Sequence, residues 1–256
     1  ISETQNLRVD VQIPANHVVG QVEYPVIGRD TSQKFGVNSA LSFDDDAALI
    51  RALDQHHSSN SEIVVYVHGY NNNLAESVYR HAQIAHDFGL RGPQLTFGWS
   101  SASSALGYAY DRDSVIIARD KLEKLLTVLA TKQSRQIIVL AHSLGSMLTV
   151  ETLRQMAIGG NTQPFRRFAA IALISPDIDV DVFRSQVERI SPMPQPFVIF
   201  VSRNDNILRL SAGLTGKQAR LGSTEDIADL QKRGFSVVDL SDFTDGKSGD
   251  HFAAVT

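Results

Sequence analysis

The sequence predicts an α/β fold with a doubly wound, mostly parallel sheet. Short runs of apolar and β-branched residues alternate with helical segments of ten or more residues, which is the pattern of βαβ crossovers. No internal repeat or low-complexity linker divides the 256 residues, so we predict one domain over residues 1–256. Hydrophobic residues make up 43% of the chain and charged residues 20%, which is typical of a globular protein with a substantial core.

The N-terminal part predicts antiparallel edge strands and loops laid beside the larger sheet. Alternating segments run from Leu7 to Ile13 and from Val18 to Ile27, with proline and glycine between and within them. The three acids Asp44–Asp46 then open a helical pattern that reaches Leu53. Acidic residues suit the first turn of a helix, so we interpret this run as a solvated helix start and not as metal ligands.

Strands and helices then alternate as far as the middle of the chain. Ile63 to Val67 is a continuous apolar run and predicts a buried parallel strand, followed by a helix from Leu74 to Phe88. Gln94 to Trp99 predicts the next strand, and the small polar residues from Ser100 to Gly107 predict a loop that a ligand can approach. A long amphipathic helix is predicted from Ser114 to about Thr131.

The same alternation continues to the end of the chain. Strands and helices are predicted in the order strand Ile137–Leu140, helix from Ser143 to Gly159, strand Phe168–Ile174, helix Val182–Ile190, strand Phe197–Ser202, helix 224–233 and strand Phe235–Leu240. Only roughly twenty residues separate Ile174 from Phe197, too few for a separate lid domain. We therefore predict no large cap over the carboxyl edge of the sheet.

The segment Ala141-His142-Ser143-Leu144-Gly145 predicts a nucleophile at a sharp strand-to-helix turn. Small residues flank Ser143 at i−2 and i+2, because such a turn brings the strand and helix backbones close together. The hydroxyl is then held out at the carboxyl edge of the sheet. The N–H of Leu144 points to the same side and is a candidate oxyanion donor. We favour this interpretation over a serine that merely caps the helix.

A serine nucleophile needs a base, and the base needs an acid that fixes its tautomer. Of the eight histidines only His251 follows Ser143, so it is the predicted base. The chain order Ser, Asp, His is the order of α/β-hydrolases. We favour Asp205 as the acid because it follows the strand before the last. Asp177 and Asp179 follow the preceding strand and remain the alternatives.

The second oxyanion donor is predicted at the turn after the first buried strand. Gly69 lets the chain bend so that the Tyr70 N–H faces the site, with Asn71 as the alternative. His68 is expected to be a structural hydrogen bonder and not a base. The histidines without a ligand pattern are His17, His56, His57, His81 and His86. A metal site is therefore not expected, and the chemistry requires no cofactor.

Composition excludes several classes of function. The net charge of −4 opposes a nucleic-acid partner, and the absence of cysteine removes disulfides, thiol nucleophiles and Cys-ligated metals. No apolar run approaches the ~18 residues of a spanning helix, so we expect no transmembrane segment.

The sequence starts at Ile1 and not at Met, which agrees with removal of a leader and export to the periplasm or envelope. The cytoplasm is the alternative location.

Several motifs together carry a family resemblance over most of the chain. They are Ile63-Val64-Val65-Tyr66-Val67-His68-Gly69-Tyr70-Asn71-Asn72, Phe97-Gly98-Trp99-Ser100-Ser101, Tyr110-Asp111-Arg112-Asp113, Ala141-His142-Ser143-Leu144-Gly145, Ser175-Pro176-Asp177-Ile178-Asp179 and Ser202-Arg203-Asn204-Asp205. The chain resembles the DUF900 group of α/β-hydrolases, bacterial proteins described as esterase/lipase-like. The resemblance implies a serine hydrolase and carries over Ser143, Asp205 and His251.

The sequence favours a carboxylic ester hydrolase whose partner is a small-molecule ester. Without a large cap, we expect a site walled by the N-terminal segment, the loop 100–107 and Tyr108 or Tyr110, which suits short or medium acyl groups. Amide, thioester or polymer-ester cleavage by the same triad is the first alternative. The second is a non-catalytic envelope interaction module on the same fold.

Overall fold

The structure is a computed structural model that describes residues 5–25, 32–56, 62–104, 107–214, 216, 219–223, 227–243 and 248–256. Within these residues the strands are β1 (Asn6–Gln12), β2 (Gly36–Phe43), β3 (Ile63–Val67), β4 (Gln94–Phe97), β5 (Ile137–His142), β6 (Phe168–Ile174), β7 (Phe197–Val201) and β8 (Ser236–Asp239). The α-helices are α1 (Asp46–Asp54), α2 (Leu74–Asp87), α3 (Tyr108–Lys132), α4 (Leu144–Ile158), α5 (Val180–Val187), α6 (Asn206–Leu214) and α7 (Ile227–Lys232).

Six parallel strands form the central sheet in the order β4-β3-β5-β6-β7-β8. The chain passes outward from β3 to β4, crosses back through α3 to β5, and then proceeds strand by strand to β8. The direction of winding therefore reverses between β3 and β5. In such sheets the carboxyl ends of the strands at this reversal form a crevice. The predicted doubly wound parallel sheet is confirmed.

The N-terminal strands form a sheet of their own. β1 and β2 pair antiparallel, with a register shift between Asp10 and Val11, and neither pairs with the central sheet. The strand predicted from Val18 to Ile27 is wrong over residues 18–25, while residues 26 and 27 lie outside the described residues. A tight turn replaces it, in which the Gln21 N–H donates to the Val18 carbonyl at 3.0 Å, with Gly20 at φ +83°.

Both faces of the central sheet are covered, which explains why its strands are continuous apolar runs. One face contributes residues such as Val65, Val139, Leu173 and Ile199 to the larger core, together with side chains from α1, α3, α4, α5 and α7. The opposite face presents Tyr66, Leu140, Ile174 and Phe200 to α2 and to the C-terminal residues around Val255. The C-terminal segment that carries His251 thus packs against this face of the sheet and covers part of it.

Helix α2 holds this C-terminal segment in place through a buried amide. Gln83, which is fully buried, donates from Nε2 to the Val255 carbonyl at 3.0 Å and accepts from the Arg80 guanidinium at 2.7 Å. The Arg80 guanidinium also lies 4.3 Å from the centre of the Phe252 ring. α2 therefore positions residues 252–255 against the sheet.

Several elements differ from the sequence-based expectation. α3 begins at Tyr108, six residues before the predicted Ser114, and α6 was not predicted. The helix predicted over 224–233 is observed as α7, and residues 224–226 lie outside the described residues. Between β6 and β7 the chain carries α5 and no cap domain, as predicted. Among the described helices, none has both the length and the apolar character needed to cross a membrane.

Candidate active site

Ser143 lies at the sharp turn between β5 and α4, at the carboxyl edge of the sheet. Its backbone has φ 52° and ψ −122°, a conformation that costs about 1–3 kcal/mol for a residue other than glycine. Hydrogen bonds hold it there: its N–H donates to the Ile174 carbonyl at 2.9 Å, and its carbonyl accepts from the Asp177 N–H at 3.1 Å. The end of β6 and the turn after it thus hold the strained residue by both its N–H and its carbonyl.

Two glycines make room for this turn. A Cβ atom at Gly145 would lie 2.3 Å from the His68 carbonyl oxygen, and one at Gly69 would lie 2.7 Å from Cβ of Ser143. Real Cβ atoms do not approach backbone so closely, so neither position tolerates a larger residue without displacement. The steric reason predicted for a small residue at 145 is observed, and Gly69 meets the same requirement from the facing turn.

Asp205 and His251 form a buried hydrogen-bonded pair. Oδ2 of Asp205 lies 2.7 Å from Nδ1 of His251, and the two residues are 0% and 5% exposed. Oδ1 of Asp205 accepts from the backbone N–H groups of Ile207 and Leu208 at 3.0 and 3.1 Å. A carboxylate only accepts, so Nδ1 of a neutral His251 carries the proton and Nε2 is left as an acceptor.

His142, the residue directly before Ser143, contacts the segment that carries His251. Its ring contacts the His251 ring edge-on at 4.6 Å between centroids and stacks on Phe252 at 4.2 Å. Burial holds the pKa of His142 well below its usual range, so the ring is neutral. Its Nε2–H then donates to the His251 carbonyl at 3.0 Å. The residue directly before Ser143 therefore supports the segment that carries the predicted base.

His68 is a structural residue, as the sequence predicted. Burial lowers its pKa to about 4, so it is neutral near pH 7. Its Nδ1–H donates to the Gly69 carbonyl at 2.9 Å, and its Nε2 accepts from the Trp99 N–H at 3.2 Å. The ring stacks on the Trp99 indole at an interplanar angle of 5°. Both nitrogens are engaged in holding the turns after β3 and β4.

The candidate oxyanion donors differ in whether their N–H groups already have an acceptor. Among the described residues, neither the Tyr70 N–H nor the Leu144 N–H has a hydrogen-bond acceptor. The Asn71 N–H instead donates to Oδ2 of Asp111 at 3.3 Å. This contact favours Tyr70 over the alternative Asn71.

Sequence reasoning gave no role to Asp111, a fully buried residue in the first turn of α3. Besides the Asn71 N–H, its carboxylate accepts from Ser101 Oγ and from the Ala102 N–H, each at 2.6 Å. It therefore ties the loop after β4 to the loop that carries Tyr70. The available signal was an acid at the start of a helix, which is common on exposed helices and does not identify a buried tether.

The two alternative acids have other partners. Asp179 caps α5, where its side chain accepts from the N–H groups of Asp181 and Val182. Asp177 is buried and forms an ion pair with Arg220, at 3.1 Å from its Nε. Of the three candidate acids, Asp205 is therefore the one that contacts His251.

A buried polar cluster surrounds Asp177 next to the nucleophile turn. Asp177 accepts from the Tyr108 hydroxyl at 2.9 Å and from Ser211 Oγ at 2.5 Å. Burial, together with the Asp177 charge, raises the pKa of Tyr108 to about 12.

The Tyr70 ring packs edge-on against Tyr108 at 5.4 Å, whereas Tyr110 is 57% exposed. Tyr108 rather than Tyr110 thus lies beside the candidate site.

Comparison with known proteins gives a family and a set of distant structures. A family model described as an alpha/beta hydrolase of unknown function, DUF900, matches residues 45–255. No curated protein matches the sequence.

Three of the similar solved structures come from a bacterium, an archaeon and a plant. The first is esterase B from Lactobacillus rhamnosis, inhibited by a tributyrin phosphonate, with 11% identity over 72% of this chain and 65% of that one, at a TM-score of 0.41. The second is an esterase from Pyrobaculum calidifontis, with 14% identity, coverage of 77% and 76%, and a TM-score of 0.42. The third is acyl-protein thioesterase 2 from Zea mays, with 14% identity, coverage of 78% and 94%, and a TM-score of 0.41. The chain spans slightly less than two thirds of the Lactobacillus esterase.

Proposed function

The chain belongs to the DUF900 family of α/β-hydrolases, and from this premise we propose that it is a serine hydrolase that cleaves carboxylic esters. Ser143 is the nucleophile, His251 the general base and Asp205 the acid that orients it. The observation that carries the proposal is the 2.7 Å contact between Asp205 and His251, on a segment packed against the residue before a strained serine.

Acylation follows from these roles. Nε2 of His251 accepts the Ser143 proton as Oγ attacks the acyl carbon of the ester, and the carbonyl oxygen becomes negative. The N–H groups of Tyr70 and Leu144 donate to that oxygen. When the tetrahedral intermediate collapses, the C–O bond to the alcohol breaks, and the leaving alkoxide takes the proton from His251. The products of this half-reaction are the free alcohol and an acyl ester on Ser143.

Deacylation repeats these steps with water in place of the Ser143 hydroxyl as the attacking group. His251 accepts a proton from water as the oxygen attacks the acyl-enzyme, and it returns that proton to Ser143 Oγ when the second intermediate collapses. Asp205 keeps Nδ1 protonated and stabilises the imidazolium formed in each step. All proton transfers are completed by residues of this chain, so the cycle uses neither a metal nor an organic cofactor.

We propose short to medium acyl esters as the substrate class. The segment between β6 and β7 carries only the eight-residue helix α5, which leaves the carboxyl edge without a cap at this point. The aromatic pair Tyr70 and Tyr108 supplies apolar surface beside the site, and the Tyr70 hydroxyl is held by the Ser104 carbonyl at 3.1 Å. An open, partly apolar cleft suits small acyl groups better than a long chain that needs full enclosure.

The proposal is tested with Ser143→Ala on p-nitrophenyl acetate and butyrate. Turnover should fall by at least about 10⁴-fold, because the nucleophile is lost while the backbone is kept. Ser175→Ala is the matched control, since Ser175 is a buried serine with a positive φ at the end of the neighbouring strand β6. It should retain turnover and labelling by a fluorophosphonate probe, and Ser143→Ala should lose both. Undiminished turnover in folded Ser143→Ala would contradict the assignment.

The same machinery also fits cleavage of thioesters, amides or polymer esters. Rates on matched ester, thioester and anilide substrates separate these reactions, and we expect the ester to be fastest. A folded wild-type protein that takes up no fluorophosphonate at Ser143 would favour a non-catalytic interaction module instead.

A further inference from the structure

We propose that His17, His86 and Asp87 form a binding site for a divalent transition-metal ion, with Zn²⁺ as the ion of choice. The ligand atoms of these three residues all lie within 4.8 Å of one another. The site joins the N-terminal loop 13–25 to the end of α2, away from Ser143. It is independent of the proposed function.

The two imidazoles converge on one carboxylate oxygen. Nε2 of His17 lies 2.8 Å and Nδ1 of His86 lies 3.0 Å from Oδ1 of Asp87. In a tetrahedral zinc site with bonds of about 2.0–2.1 Å, neighbouring ligand atoms are separated by about 3.3 Å. The two histidine–aspartate separations therefore need to lengthen by only a few tenths of an ångström to reach this value. Two imidazole nitrogens and one carboxylate oxygen form a ligand set that zinc prefers.

The groups around these ligands match the supporting shell of a metal site. Nδ1 of His17 lies 2.9 Å from Oε2 of Glu23, the carboxylate contact that commonly orients a metal-binding histidine. Oδ2 of Asp87 accepts from the Gly20 N–H at 2.7 Å and from Gln83 Nε2 at 2.6 Å, which leaves Oδ1 to face the imidazoles. These three contacts fix the direction in which the ligand atoms of His17 and Asp87 point.

Charge and access also favour a cation. Metal ligation requires neutral imidazoles, and with His17 and His86 neutral the carboxylates of Glu23 and Asp87 carry two negative charges that a divalent cation balances. The side chains of His17 and Asp87 are 5% and 3% exposed, which protects the bound ion from water on that side. The His86 side chain is 52% exposed and provides both the entry path and room for a water as the fourth ligand.

His86 makes a discriminating test possible, because it is not needed for the rest of the cluster. In His86→Ala the contacts of His17 with Glu23 and Asp87 remain, so the folded structure should persist while one metal ligand is lost. His56→Ala removes an exposed histidine outside the cluster and is the matched control for adventitious zinc binding.

Zn²⁺ affinity is measured by competition with a chromophoric chelator on protein stripped of metal. We expect one equivalent of Zn²⁺ to bind to the wild type and to His56→Ala with Kd at or below about 1 µM. In His86→Ala, binding should weaken at least about ten-fold. At the same Zn²⁺ concentration the Tm should rise by a few degrees in the wild type and by less in His86→Ala, with equal Tm values for both proteins without metal. Absence of binding, or equal binding to the wild type and His86→Ala, would overturn the proposal.

Discussion

Asp177, Asp179 and Asp205 all follow a strand of the central sheet, but only Asp205 has a carboxylate oxygen in contact with His251. Asp179 caps a helix and Asp177 pairs with Arg220, whereas Asp205 caps α6 with Oδ1 and reaches His251 with Oδ2. One carboxylate therefore both starts a helix and orients the imidazole, so its position is fixed by the backbone.

Asp205→Asn tests this dual role. The amide still caps α6 through its oxygen, but an NH₂ group facing Nδ1 favours the wrong imidazole tautomer, so kcat should fall by about 10⁴-fold with Tm nearly unchanged. Asp179→Asn is the control: it preserves a helix cap of equal quality and should leave kcat within about two-fold. A kcat for Asp205→Asn near that of the wild type would remove Asp205 from the proposed triad.

At the residue scale, chain order was enough to predict the candidate nucleophile and base, but not which acid contacts the base. Ser143 and His251 could be found because a tight turn and a single C-terminal histidine leave few alternatives. The choice between Asp177 and Asp205 needed the contact itself, since both acids follow a buried strand. Asp111 was missed because an acid at the start of a helix is common on exposed helices, and the contact of His17 with Asp87 was missed because 70 residues separate the two.

At the scale of elements, the close approach of α4 to the turn after β3 controls the geometry of the site. The backbone at Gly145 passes directly over the carbonyls of Val67 and His68, at distances that exclude a Cβ. This packing sets the position of the Leu144 N–H relative to the Tyr70 N–H. Both proposed oxyanion donors therefore depend on one glycine.

Gly145→Ala should push these two elements apart. A Cβ placed 2.3 Å from the His68 carbonyl oxygen forces a backbone shift, and overpacking of this kind costs about 1–3 kcal/mol of unfolding free energy. Gly213→Ala on α6 is the control, because nothing lies within 4 Å of its Cβ position. It should stabilise the protein by about 0.5–1 kcal/mol. Chemical denaturation measures both, and equal stabilities for the two variants would refute the steric argument.

The central strands and the longer helices followed from hydrophobic periodicity, because burial on both faces of the sheet leaves continuous apolar runs. Periodicity did not predict the shorter elements, of which α6 and the loop 18–25 are examples. α6 begins where Asp205 caps it, and this local signal was missed because the run Asn204-Asp205-Asn206 also fits a turn. Residues 18–25 alternate like a strand, yet the turn at Gly20 and the contacts of Glu23 with His17 hold them as a loop.

For the whole molecule, buried neutral histidines link folding to pH. Burial lowers the pKa of both His68 and His81 to about 4, against 6.5 in an unfolded chain. Between these values the unfolded chain binds protons that the folded protein does not. The stabilisation is therefore complete above pH 6.5 and is lost progressively as the pH falls toward 4.

His81→Gln should reduce this dependence. Between pH 7 and pH 5, each such histidine lowers the unfolding free energy by about 2 kcal/mol, so the variant should lose about 2 kcal/mol less than the wild type over that interval. The glutamine amide is able to replace the contact of His81 Nδ1 with Thr96 Oγ1. Urea denaturation at the two pH values gives the comparison. Equal losses in both proteins would show that His81 is not the group responsible.

Gln83 and Arg80 on α2 contact the C-terminal segment that carries the proposed base. They hold the chain's last turn, and with it the imidazole, from the side of the sheet opposite to the larger core. Substitutions of Gln83 or Arg80 lie outside the proposed cleft, yet we expect them to change how firmly the proposed base His251 is held. For the proposed hydrolase, we therefore expect substitutions on α2 to change the rate more than the choice of ester, and substitutions in the cleft to change that choice.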